Sequence, residues 1–200
     1  MTLPPHWVLA TANSGKVAEL SALLAEAGID LRVTAQSELG VEAPPETGAT
    51  FVENALQKAR HAARITGLPA IADDSGLVVA ALGGAPGVRS ARFAGEKADD
   101  GANVAKLLAA LGPSLDRSAR FHCVLVALRS PNDAAPAIAT GSWTGQIAQA
   151  PRGSGGFGYD PVFFDPTLGR TAAELDTAEK NRVSHRGTAL RGLIELLKNR

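Results

Sequence analysis

The chain has one cysteine, Cys123, and that scarcity excludes an internal disulfide and a thiolate-rich metal centre. Cys123 lies in an apolar run, which suits a reducing compartment. The four histidines show no zinc-like spacing, so a zinc site is not expected either. Neither sign of charge is in excess: 20 lysines and arginines balance 20 aspartates and glutamates. Surface-wide attraction to nucleic acid or to an anionic membrane is therefore not expected, and any anion must be met by a few local residues. No apolar run approaches the ~20 residues that span a bilayer. A basic segment followed by a long apolar stretch is also missing from the start, so no signal peptide is expected. The expectation is a soluble, cytoplasmic protein.

What is present is core-forming material. Hydrophobic residues make up 45% of the 200 and charged residues only 20%, so the chain can bury a sizeable core and does not read as disordered. The length suits one domain, or two lobes sharing a sheet. Trp7 to Thr11 reads as a first strand. A helix follows, with Val17, Leu20, Leu23, Leu24 and Ala27 at helical spacing and Gly28 closing it. Leu31 to Ala35 predicts a second strand. Thr50-Phe-Val-Glu53 has capping-box spacing for a second helix, with Phe51, Ala55, Ala59 and Ala62 on one face and Asn54 and Lys58 on another. A strand from Pro69 is expected to end at Asp73-Asp74, with Ser75-Gly76 as a turn. Further on, the pattern predicts a helix over about 102–111, a strand over 120–128, and a strand pair within 137–150 broken near Gly141 or Gly145. A final helix is expected from Ser184 to Asn199. Alternating strands and helices followed by consecutive strands predict an α/β fold with a mixed sheet.

Two adjacent carboxylates organise this pattern. Asp73 and Asp74 at the end of an apolar run would face opposite ways, and at ~4 Å they would repel by about 4 kcal/mol at an effective dielectric of 20. Solvent, a cation or a proton can relieve that cost. A solvated turn and a metal or general-base site are both open on these residues alone. Glu46, in the loop before the second helix, is on its own a surface acid. Together the three suit Mg²⁺, which takes one or two carboxylates and leaves the rest to water and phosphate oxygens.

Three further stretches carry chemistry. Thr11-Ala12-Asn13-Ser14-Gly15-Lys16 is a strand-to-helix turn whose amides, hydroxyls and lysine suit a phosphate. A lysine in a first turn opposes the helix dipole by about 0.3–1 kcal/mol, a conflict that a bound anion removes. The Walker pattern is absent, since Val17 follows Lys16 and position 10 is alanine. Gly153 to Asp160 matches G-x-G-x-x-G, but the dinucleotide reading is rejected, because Pro161 disfavours a helix where that motif needs one. The stretch reads instead as a loop presenting Phe157, either to a base or to the core. Ser184-His185-Arg186 opens the last helix just after Lys180, placing donors where an electron-rich atom such as a purine O6 would suit them.

In order along nearly the whole chain stand Thr-x-Asn-x-Gly-Lys (11–16), Glu-Thr-Gly (46–48), Phe-x-Glu-Asn-Ala-x-x-Lys-Ala (51–59), Ala-Asp-Asp-Ser-Gly-Leu (72–77), Gly-Gly-Ala-Pro-Gly (83–87), Gly-Gly-Phe-Gly-Tyr-Asp-Pro (155–161) and Ser-His-Arg (184–186). With these the chain resembles the inosine triphosphate pyrophosphatase family, which cleaves ITP, dITP and XTP to the monophosphate and pyrophosphate and so clears deaminated purines from the nucleotide pool. Ala12 departs from the glycine or asparagine frequent there. The resemblance implies one domain over 1–200, an elongated mixed sheet flanked by helices in two lobes, the active site in the cleft between them, and a homodimer. It implies that Thr11, Ala12, Asn13, Ser14, Gly15, Lys16 and Lys58 hold the triphosphate, and that Glu46 and Asp74 hold Mg²⁺. Asp74 would also be the general base, supported by Asp73. Ser75, Phe157, Gly158, Tyr159, Asp160, Lys180, His185 and Arg186 would bind the nucleotide, with Phe157 stacking on the base. A non-catalytic nucleotide-binding module and a pyrimidine nucleotide pyrophosphatase are the rivals; the grouped acids and lysines oppose the first, and the Ser-His-Arg and Gly-Phe-Gly-Tyr-Asp-Pro stretches oppose the second.

Overall fold

The structure is a computed structural model that describes residues 4–199, the side chain of Ser14 excepted. In chain order the elements are β1 (His6–Leu9), α1 (Ser14–Glu26), β2 (Arg32–Ala35), α2 (Phe51–Thr66), β3 (Ala70–Val79), α3 (Asp100–Leu111), β4 (Ser118–Leu128), β5 (Ala137–Ile147), β6 (Phe163–Asp165), β7 (Arg170–Thr171), α4 (Thr177–Val183) and α5 (His185–Lys198). The strands form one sheet in the order β2-β1-β3-β4-β5-β6-β7. Parallel pairing of β1 with β2 and β3, and antiparallel pairing of β6 with β5 and β7, make it the mixed α/β sheet that the pattern predicted. Among the described residues no helix is long and apolar enough to cross a membrane.

The chain divides into two compact units. Unit 1 comprises Met1–Asp74, Cys123–Gly141 and Ala189–Arg200; unit 2 comprises Ser75–His122 and Ser142–Thr188. In unit 1 the period of two along the strands sorts side chains into two cores. Trp7, Leu9, Ile71, Cys123 and Leu125 pack with Leu20 and Leu24 of α1 and with Leu190, Leu193 and Leu197 of α5. Their neighbours Val8, Ala70, Ala72, Val124 and Val126 pack with Ala55, Ala59, Ala62 and Ala63 of α2. All four of those alanines are fully buried, and small side chains let a helix backbone approach a sheet closely. The capping box expected at the start of α2 is present, with the Thr50 hydroxyl accepting from Glu53 N–H and the Glu53 carboxylate accepting from Thr50 N–H. Unit 2 has its own core, in which Leu77, Val79, Phe121, Trp143 and Phe163 meet Val104, Leu107 and Leu111 of α3.

Two local expectations are corrected. β3 does not end at Asp73-Asp74 but runs on through Ser75 and Gly76 to Val79, so there is no turn there. Ion pairs described below offset the charge of both acids and let them stay inside a strand. β5 is one unbroken strand with strictly alternating burial. Gly145 serves it by close approach rather than by a break, since a Cβ there would stand 2.5 Å from the Phe164 carbonyl oxygen and 2.7 Å from its neighbour's ring. The final helix has the expected span, following a separate short one, α4, and the Ser184 hydroxyl accepts from Gly187 N–H at 3.1 Å at its start.

Candidate active site

Unit 1 holds a cavity of ≈ 650 Å³ lined by Thr11, Ala12, Lys16, Glu46, Lys58 and Asp73, among others. Lys16 Nζ donates to both carboxylate oxygens of Asp73, at 3.0 and 2.9 Å. Lys58 Nζ donates to Glu46 Oε1 at 2.8 Å and to Asp74 Oδ1 at 3.2 Å. The other oxygen of Asp74, Oδ2, accepts from the side-chain amide of Asn54 at 3.1 Å. Asp73 and Asp74 therefore face different partners, as alternation along a strand requires. Asp73 braces Lys16.

Two ammonium groups thus meet three carboxylates, leaving one negative charge in surplus. Burial pushes the Asp74 carboxyl above the ordinary aspartate range; Lys58 pulls it down, Glu46 adds to the rise, and the net direction is up. For Lys58, burial acts to lower its pKa, but Asp74 and Glu46 outweigh that and hold the ammonium above the ordinary lysine value. One cation among several acids accounts for both directions. The donor set also fits a hard divalent cation: two oxygen ligands converge on a single positive charge, and the surplus negative charge favours a further one. Among the described residues no three His, Cys, Asp or Glu side chains group as a complete metal site, so such a cation would draw its remaining ligands from water and substrate.

The turn at 11–16 is built around Asn13, whose side-chain oxygen accepts from Gly15 N–H at 2.9 Å and Lys16 N–H at 3.4 Å. This cap fixes the start of α1 and places Lys16 in its first turn, with no acid there to balance it. Thr11 is buried and its hydroxyl accepts from Asn13 N–H. The side chain of Ser14, expected to bind phosphate, lies outside the described residues.

Unit 2 holds a smaller, mostly apolar recess of ≈ 150 Å³. Ser75, Phe157, Gly158, Tyr159, Asp160, Lys180, His185 and Arg186 all line it, so every residue expected to bind the nucleoside meets there. The glycine-rich loop is pinned rather than free. Asp160 accepts from Phe157 N–H at 2.8 Å and pairs with Lys180, Gly155 N–H donates to the Ala173 carbonyl at 3.0 Å, and Gly158 N–H donates to Asp100 at 2.7 Å. Phe157 is 65% exposed and so is no core plug. Its ring has Lys180 Nζ 5.0 Å from the centroid. Tyr159 points inward and donates to the Ser90 carbonyl at 2.9 Å. The His185 ring stacks on Phe121, with centroids 4.8 Å apart and planes 15° off parallel.

Sequence reasoning missed Asp100, Asn103, Ser90 and Phe121 as lining groups, and saw Asn54 only as a neighbour of Lys58. Asn54 carried a usable signal, because an amide on a helix that buries alanines must have a specific partner.

A model of the Ham1 family matches residues 7–196. The chain belongs to the Ham1 family. It is 63% identical over 187 residues to the dITP/XTP pyrophosphatase of Xanthomonas campestris pv. campestris, covering 92% of this chain and 93% of that protein. The dITP/XTP pyrophosphatase of Escherichia coli O157:H7 is 58% identical over 194 residues, with 96% and 98% covered. The structure of a HAM1 protein from Coxiella burnetii matches with a TM-score of 0.94 at 52% identity, over 98% of this chain and 100% of that one. The family resemblance drawn from the ordered motifs is thereby borne out.

Proposed function

We propose that this Ham1-family chain is a nucleoside triphosphate pyrophosphatase that hydrolyses dITP, ITP and XTP to the monophosphate and pyrophosphate. The observation that carries the reading is β3, which presents Asp73 and Asp74 to two lysines in unit 1 and then Ser75, Gly76 and Leu77 to the aromatic and basic recess of unit 2. A phosphate chain is assigned to the first and a base to the second.

The roles follow from the groups. Asp74 is the general base that takes a proton from water attacking the α-phosphorus. Its raised pKa makes it a stronger base than an ordinary aspartate. Lys16 and Lys58 stabilise charge on the departing pyrophosphate, exchanging their carboxylate partners for phosphate oxygens. Glu46 and Asp74 would hold Mg²⁺, which when bound supplies charge neutralisation on the phosphates. Phe157 offers its exposed face to the base. Lys180, His185 and Arg186 supply donors that suit O6 of an oxidised purine and cannot pair with the amino group of adenine. The balanced charge of the chain supports a small-molecule substrate over a polyanion. A cytoplasmic homodimer, with removal of deaminated nucleotides from the pool as its role, completes the proposal.

The experiment is incubation with Mg²⁺ and, separately, ITP, XTP, GTP and ATP, with the products identified. Pyrophosphate and monophosphate from ITP and XTP, with little turnover of GTP and ATP, is the expected result. Orthophosphate and diphosphate would move the attack to the γ-phosphorus and overturn the mechanism. Nucleotide binding without turnover would favour a regulatory module.

A further inference from the structure

Asn54 is the fourth residue of α2 and is completely buried. Nothing in helix formation favours it, since asparagine is a poorer helix former than the alanines beside it and its amide is costly to bury without partners. Both ends of that amide are used. Gly48 N–H donates to Asn54 Oδ1 at 2.7 Å, and Asn54 Nδ2 donates to Asp74 Oδ2 at 3.1 Å. A backbone N–H can only donate, so the oxygen must face Gly48 and the NH₂ must face the carboxylate. The contact with the loop is as tight as a glycine permits: a Cβ on Gly48 would stand 2.7 Å from Asn54 Oδ1.

The two oxygens of Asp74 are therefore treated differently. Oδ2 is tied to a buried, rigid amide, whereas Oδ1 faces Lys58, whose long side chain can exchange partners. The same amide fixes the backbone two residues after Glu46, the second acid on Lys58. We infer that Asn54 is a positioning residue of the hydrolytic site. It locks Asp74 Oδ2 so that Oδ1 is the working oxygen, and it fastens the Glu46 loop at the distance that lets Glu46 and Asp74 share one cation. The inference rests on the proposed role of Asp74.

The test is a double-mutant cycle on pyrophosphate release from dITP, using wild type, Asn54→Ser, Asp74→Asn and the double variant. Asn54→Ser lowers kcat by about tenfold or more, as expected for a misplaced reacting group, with KM for dITP little changed. In the Asp74→Asn background it lowers kcat no further, within about twofold, because its effect runs through Asp74. Titration of the nucleotide-free protein with Mn²⁺ gives a readout apart from turnover: affinity falls by about threefold or more in Asn54→Ser. Equal losses of kcat in both backgrounds would show a merely structural residue and overturn the inference. An unchanged kcat or an unchanged Mn²⁺ affinity would overturn it too. Should Asn54→Ser fail to fold, Asn54→Asp keeps the size and the acceptor for Gly48 N–H, and the same cycle applies to it. A wild type that releases no pyrophosphate from dITP would instead refute the reading of Asp74, an outcome distinct from an active wild type that tolerates the loss of Asn54.

Discussion

Lys16 Nζ grips both oxygens of Asp73, at 3.0 and 2.9 Å, across 57 positions of sequence. The aspartate side chain is 6% exposed and the lysine side chain 26%. Removing the lysine leaves a carboxylate inside β3 without its counter-charge. Breaking a fully buried pair costs about 3–5 kcal/mol, and solvent at the lysine end reduces this to about 1–2 kcal/mol. Lys16→Met should therefore lower Tm by roughly 2–8 °C and depress kcat/KM for dITP. Calorimetry decides the stability part; an unchanged Tm would show that the pair contributes nothing to the fold.

Lys58 Nζ sits on the same two carboxylates, Glu46 and Asp74, that would hold a divalent cation. Ammonium and cation then compete for one set of oxygens. Lys58→Met should tighten Mn²⁺ binding to the nucleotide-free protein by about threefold or more, because it removes the resident positive charge, while slowing turnover. A Mn²⁺ titration reads this directly. Weaker binding in the variant would mean that Lys58 helps to build the cation site instead of occupying it.

Much of the fold was legible because its signals are local. The Thr50/Glu53 capping box, the alanine face of α2 and the Leu190-Leu193-Leu197 stripe of α5 each lie within a few helical turns, and all are present. The path of β3 was not legible. Asp-Asp-Ser-Gly has poor strand propensity, and what keeps it extended is compensation by Lys16 and Lys58, delivered from α1 and α2. Gly145 misled for a related reason: it looks like a strand break until the Phe163-Phe164 segment is seen lying against it. At the site, the motifs named which residues matter but not which touch. That Asp73 pairs with Lys16, and that Asn54 donates to Asp74, depends on contacts across the fold.

Tyr159 carries a pH dependence. Burial, with a smaller effect from Asp100, pushes its phenol far above the ordinary value of 10.0. Above that value the unfolded chain releases the proton while the folded chain keeps it, so the unfolded state binds fewer protons and stability falls as pH rises. Tyr159→Phe should abolish this alkaline loss. It should also cost about 1 kcal/mol at neutral pH, or roughly 2–4 °C in Tm, through the lost bond to the Ser90 carbonyl. Thermal melts of both proteins between neutral pH and about 11 check it. Parallel curves for the two would reject the assignment.

Two glycines separate the work of the two units. Gly48 needs space: a Cβ would stand 2.7 Å from both Asn54 Oδ1 and Glu53 Cβ, so Gly48→Ala must shift the Glu46 loop or Asn54. Gly156 needs both space and backbone freedom, because its φ is 73° and a Cβ would run into the Asp160 carboxylate. That carboxylate holds Phe157 N–H and Lys180, so Gly156→Ala disturbs the surface assigned to the base. Gly48→Ala should lower kcat for dITP by about tenfold with KM little changed, since the misplaced groups act on the reacting phosphate. For Gly156→Ala the balance reverses: KM rises by about tenfold and kcat changes less, because the groups disturbed bind the nucleoside before and during reaction alike. Steady-state pyrophosphate release from both variants tests the contrast. A fall in kcat alone for Gly156→Ala would place the loop at Phe157 among the reacting groups, and the assignment of the base to unit 2 would have to be abandoned.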